Sequence, residues 1–150
     1  MDFLREQGLI FTSKKYEGVY ISLNERYDIS YDQLFTLCAV IGFKNNRYLE
    51  IESKGRQFRG SYLKMDSRAS LYSIILNDTD FGKQIDSFEN NEYQKKCTKK
   101  LEKYAEGGME ILVEEVFRGK WGTNKLDERY DEYIIDIISY VYEKSGDLPF

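Results

Sequence analysis

Glu50-Ile51-Glu52-Ser53-Lys54 is the stretch of this 150-residue chain whose residue types and spacing best suit hydrolytic chemistry. A carboxylate, one spacer and a lysine at the end of a strand can hold a divalent metal and activate an attacking water. That is the arrangement of a metal-dependent phosphodiester-cleaving site. Such a site needs a further acid upstream, and Asp28 or Asp32 stands at a suitable distance. The same five residues also read as one arm of a short hairpin with solvated charges, and Asp32 suits the first turn of a helix. We take the hairpin reading and assign no catalytic residue; Glu50, Glu52 and Lys54 stand as the alternative.

Other familiar catalytic devices are closed to this chain. It has no histidine, so it cannot build a Ser-His-Asp or Cys-His nucleophile, a His general base or a His-ligated metal site. Its two cysteines, Cys38 and Cys97, fall short of the four ligands of a structural zinc. They read as buried free thiols of a reduced cytoplasm. No cofactor and no metal are expected. No apolar run approaches the roughly 20 residues of a membrane span, and the N-terminus lacks a signal-peptide core. A cytoplasmic protein is expected. Gly119-Lys120-Trp121-Gly122 lacks the spacing of a phosphate loop.

Binding is better represented than catalysis. The net charge of −4 conceals an asymmetry: residues 44–68 hold seven basic side chains against three acidic, and residues 104–150 eleven acidic against five basic. The basic set is Lys44, Arg47, Lys54, Arg56, Arg59, Lys64 and Arg68, interleaved with Tyr48, Phe58 and Tyr62. Cations with aromatic faces suit phosphates and exposed bases, so this segment is the candidate DNA contact. The lysine row between Lys95 and Lys103 reads as a solvated helix face. Thirteen tyrosines are many for this length, and tyrosine is enriched at interfaces. Tyr130, Tyr133, Tyr140 and Tyr142 cannot all face one core, so together with Trp121 they form the candidate protein-docking surface.

These residues must be carried by secondary structure. Residues 1–10 suit a short tether. Partial alternation over 16–23 predicts a half-buried strand. Ser30 then caps a helix with Leu34, Leu37, Cys38 and Ile41 on one stripe, ended by Gly42 and the polar run 44–47. Residues 48–51 and 58–63 predict two arms of a hairpin. Ser67 caps a helix facing Leu71, Ile74 and Ile75 inward. Asn90 or Asn91 caps a long amphipathic helix through Tyr93, Cys97, Leu101 and Tyr104. Gly107-Gly108 marks a break, a kink or a close approach. Thr123 caps a last helix through Leu126, Tyr130, Tyr133, Ile134, Ile137, Ile138 and Val141. The fold class is mainly α with a small β-hairpin or sheet, a single compact domain. Its parts are residues 1–30 (tether and strand), 31–118 (core) and 123–145 (C-terminal helix).

Three segments together carry a resemblance: Ala39-Val40-Ile41-Gly42-Phe43-Lys44-Asn45-Asn46-Arg47, Leu71-Tyr72-Ser73-Ile74-Ile75-Leu76 followed by Asp78 and Asp80, and Glu102-Lys103-Tyr104-Ala105-Glu106-Gly107-Gly108-Met109-Glu110-Ile111-Leu112. Over about residues 31–112 the chain resembles the small Dnd system-associated proteins, encoded beside DNA phosphorothioation and restriction genes in bacterial defence islands. Glu106 stands where that pattern has asparagine. The resemblance implies a non-enzymatic accessory subunit of an anti-phage complex, working beside a larger ATPase or nuclease. It also implies that the glycine pair is a helix break letting two helices pack closely. The expected partners are that larger subunit and, secondarily, DNA. A middle subunit of another ATPase-based multi-component defence system is the remaining expectation.

Overall fold

The longest helix of the described residues is α5 (Asn91–Ile111), in a computed structural model that describes residues 2–80 and 85–145. Asn90 caps it, its side chain accepting from the Tyr93 amide at 3.0 Å. Tyr93, Cys97, Leu101, Tyr104, Ala105 and Met109 are buried along it, the four-and-three spacing of a core-facing stripe. Its most extensive neighbour is α3 (Tyr31–Lys44), which starts where Ser30 suggests: the Gln33 side chain accepts from the Ser30 amide at 3.0 Å.

The helix does not break at Gly107-Gly108; α5 runs unbroken through both. What the pair provides is approach. A Cβ at Gly108 would lie 1.7 Å from the Cys38 carbonyl oxygen, and one at Gly107 2.1 Å from that of Arg47. Gly42 does the same from the other side, 2.0 Å from the carbonyl oxygen of Tyr104. It lies inside α3, which ends two residues later at Lys44. Backbone meets backbone here, and the packing outweighs the helix-propensity cost of about 1 kcal/mol per glycine. Cys38 and Cys97 are both buried free thiols in this core.

Two expectations fail in the N-terminal third. The segment read as a strand over 16–23 is a helix, α2 (Glu17–Tyr27), burying Val19, Tyr20 and Leu23. The alternation of Val19, Ile21 and Leu23 was partial, and the chain follows the helical spacing that places Tyr20 in the core as well. The strand is β1 (Leu9–Ser13), which follows α1 (Phe3–Glu6), and its partner is β2 (Lys54–Arg59). They pair antiparallel with Ile10 opposite Phe58, a register that puts both side chains in the core. The predicted 48–51/58–63 hairpin therefore does not form. Residues 48–51 are irregular, held by the Leu49 amide donating to the Lys103 carbonyl of α5 at 3.1 Å, and the chain after Arg59 turns into a short 3₁₀ segment at Gly60–Tyr62.

α4 (Met65–Asn77) buries Leu71, Ile74 and Ile75 as expected but begins two residues before Ser67. Asp78, just after it, is buried and accepts from the Tyr104 hydroxyl at 2.6 Å. After α5 the chain makes one wider π-type turn (Leu112–Val116), then a hairpin of β3 (Trp121–Gly122) and β4 (Lys125–Leu126). Its two-residue turn has positive φ at Thr123 (48°) and Asn124 (63°), the geometry favoured for tight hairpins. Thr123 is thus a turn residue rather than a helix cap. The last helix, α6, spans only Tyr133–Ser145, leaving Leu126 in β4 and Tyr130 in the connection. The polar run Asp127-Glu128-Arg129 supplies no core face that would extend the helix backward. The fold class is mainly α with two small antiparallel strand pairs. No helix among the described residues is long and apolar enough to cross a membrane.

Candidate functional site

Of the five side chains expected to dock a partner, the fold exposes one fully. Tyr133 is completely buried, edge-on to Phe117 and Tyr130, its hydroxyl donating to the Asp127 carbonyl at 2.8 Å. Tyr140 is buried too. Tyr130 is half-buried, its hydroxyl donating to Asp136 Oδ2 at 2.5 Å, and Trp121 is half-buried against Tyr16. Only Tyr142 stands out, at 64% exposure.

Tyr142 has apolar company. Ile135 and Ile138 are each 61% exposed and Val141 is 37% exposed. Residues 135, 138 and 142 fall at i, i+3 and i+7, so they share one face of α6. Tyr133, Ile137 and Tyr140 sit at i, i+4 and i+7 on the opposite face, which is the buried one. The sequence reading placed Ile138 and Val141 in the core stripe, and the fold corrects that. Exposed acidic residues flank the stripe: Asp131, Glu132 and Glu143.

The basic segment is dispersed over several elements, and internal partners occupy much of it. Arg47 bridges Glu110 and Glu114, both at 3.1 Å, and these carboxylates raise its pKa. Arg56 faces Glu17 at 3.7 Å and Arg68 pairs with Asp2 at 2.8 Å. Lys54 Nζ lies 4.1 Å from the centre of the Phe11 ring. Lys44, Arg59 and Lys64 are exposed and make no ion pair among the described residues. Of the interleaved aromatics, Phe58 is buried and Tyr48 lies under Lys100, while Tyr62 is exposed.

The carboxylate–lysine motif is likewise separated. Glu50 is held by Lys103 Nζ at 2.7 Å, which lowers its pKa, and Lys54 turns to Phe11. Asp28 closes α2 in a left-handed conformation, and Asp32 is buried in the first turn of α3. Among the described residues no group of three or more Cys, Asp or Glu side chains is placed to hold a metal ion.

Glu50 and Glu52 instead help to wall a polar cleft of about 630 Å³, between the β1–α2 turn, residues 49–53 and α5. Sequence reasoning did not anticipate it, because its floor comes from distant parts of the chain. Glu106 of α5 is only 8% exposed, and burial pushes its carboxyl up to about 6. Ser13, at the end of β1, is 2% exposed. Its hydroxyl lies beside Glu106 and favours the charged carboxylate, yet Oγ completes no hydrogen bond of ordinary geometry. The nearest signal in the sequence was the position of Glu106 directly before the glycine pair.

No family model, curated protein or solved structure matches this chain.

Proposed function

We propose that this chain is a non-enzymatic accessory subunit of a bacterial anti-phage defence complex, docking onto a larger ATPase or nuclease subunit through α6. The observation that carries the docking is the stripe of Ile135, Ile138, Val141 and Tyr142, an apolar face that the described residues leave uncovered. The acidic rim of Asp131, Glu132 and Glu143 makes the complementary surface an apolar groove bordered by basic residues. The defence setting rests on the resemblance of residues 31–112 to the Dnd-associated proteins. The two buried free thiols suit a reducing cytoplasm. DNA contact, where it occurs, falls to Lys44, Arg59 and Lys64, the members of the basic set with neither an ion pair nor a ring contact among the described residues.

Co-expression with the larger ATPase and nuclease subunits of the same defence island tests this reading. Ile138→Asp with Tyr142→Ser is expected to release the co-purifying subunit and abolish phage protection, while shifting stability by no more than about 0.5 kcal/mol, as surface changes do. Undiminished co-purification by that variant would remove α6 as the docking face. A shift of the isolated chain to dimer in sedimentation, lost in the same variant, would assign the stripe to a second copy.

A further inference from the structure

The polar cleft beside Glu106 belongs to neither the α6 surface nor the basic segment. Its volume, about 630 Å³, falls in the range of small-molecule sites. Its chemistry is set by two buried side chains that lack ordinary partners. Glu106 makes no ion pair and no hydrogen bond of ordinary geometry among the described residues, although it is 8% exposed. Ser13 Oγ beside it is equally unpartnered. Buried carboxylates are normally paired or hydrogen-bonded, because desolvation without compensation is costly. Here the compensation is missing on the one side that opens into the cleft.

We propose that this cleft binds an alkylammonium group, whose N–H donors are taken up by the Glu106 carboxylate, with the buried Ser13 hydroxyl behind it turned to the same carboxylate. A phosphate or carboxylate ligand would be repelled by Glu106 and by Glu52 on the same wall. A metal ion would need a ligand set that the described residues do not assemble. An ammonium needs only two or three acceptors and a nearby aromatic face, and the Tyr16 ring lines the same cleft.

The groups surrounding Glu106 fit that occupant. Lys103 occupies Glu50 and Arg47 occupies Glu110, so neither carboxylate competes for the ligand. Lys15 lies close enough to favour a charged Glu106, but its ammonium is parked over the Tyr16 ring, 5.2 Å from the centroid, and forms no ion pair among the described residues. Tyr20 and Cys38, behind the carboxyl, are neutral at working pH because burial raises both their pKa values. The cation can come from a free alkylamine or from a lysine side chain of a bound protein. The recognising chemistry is the same.

Two probes separate those sources: butylammonium chloride and Nα-acetyl-lysine amide, each titrated into the isotopically labelled full chain at pH 7.5, with sodium chloride at matched ionic strength. Saturable shifts confined to Ser13, Tyr16 and Glu106 are expected, with a roughly tenfold or greater loss of affinity in Glu106→Gln. The Glu106 carboxyl carbon of the parent should titrate at lower pH when amine is present. Equal binding of both probes points to a free amine, and distinctly tighter binding of the lysine derivative to a partner's side chain. Shifts no different from those of sodium chloride, or an unchanged affinity in Glu106→Gln, would overturn the proposal. So would binding seen only in Lys15→Met, because Lys15 would then be the cleft's own cation.

Discussion

In an exposed helix, replacing glycine by alanine stabilises by about 1 kcal/mol. At Gly108 the expected sign is reversed. The added Cβ would lie 1.7 Å from the Cys38 carbonyl oxygen, 2.6 Å from its carbon and 2.9 Å from its Cα. Ordinary contact begins near 3.4 Å, and the obstructing atoms are backbone, so no rotamer change relieves the overlap. α3 and α5 must separate locally, and the layer of Leu34, Cys38, Leu101 and Ala105 around the crossing is buried. Overpacking of this kind costs about 1–3 kcal/mol, and a rigid obstacle places it at the upper end. Setting about 3 kcal/mol against the gain of about 1 in helix propensity leaves a net loss of about 2 kcal/mol. For a chain of this length that lowers Tm by roughly 4–8 °C. Calorimetry and urea unfolding at unchanged slope are the assays, with Gly8→Ala as the control, because nothing lies within 4 Å of a Cβ there. A Gly108→Ala chain as stable as the parent, or more so, would refute the close-approach account of the glycine pair.

Glu106→Gln should stabilise the protein in a pH-dependent way. The carboxyl sits near 6 in the folded chain against an ordinary 4.5, so between those values the folded state holds a proton the unfolded state has lost. Stability therefore falls as pH rises through that window, by about 2 kcal/mol once both states are ionised. The glutamine variant should gain that amount at pH 8 and almost nothing at pH 4.5, read as the difference in urea midpoints; an equal gain at both pH values would count against it. Asp78→Ala strips the acceptor from the buried Tyr104 hydroxyl and a carboxylate from the neighbourhood of Lys100, whose side chain is 14% exposed. It should cost about 3 kcal/mol. Tyr104→Phe in the Asp78→Ala background should cost less than in the parent, and strict additivity in that double-mutant cycle would deny the coupling.

What could be read from the sequence, and what could not, divides along the range of the interactions involved. α3 and α5 were legible because their caps and apolar stripes are local: Ser30 before α3, Asn90 with the Tyr93 amide, and the steps of Tyr93, Cys97, Leu101 and Tyr104. The hairpin was placed at 48–51 and 58–63, with most of β2 read as the link between them, because strand pairing is chosen by distant sequence. Nothing near residues 54–59 announces that Leu9–Ser13 will lie alongside. The glycine pair had three local meanings, and only the carbonyl of Cys38, about seventy residues earlier, selects among them. The cleft was illegible for the same reason, since Ser13 and Glu106 meet only in three dimensions.

The proposed docking surface is the instructive case, because its composition was visible while its position was not. Tyrosine number suggested an exposed surface, but tyrosine is amphipathic, and Tyr133 buries its ring while its hydroxyl reaches the Asp127 carbonyl. Isoleucine has no polar end to satisfy, so an isoleucine left in solvent says more about what is missing than an exposed tyrosine does. Eight of the 13 residues of α6 are apolar or tyrosine, more than one buried face of a surface helix can hold. Tyr133, Ile137 and Tyr140 fill the face that the domain covers. Ile135, Ile138 and Tyr142 fall about half a turn away, where the described residues supply nothing to cover them. A helix this apolar on two opposite sides keeps one of them in solvent, and a partner that covers that side gains the burial it lacks.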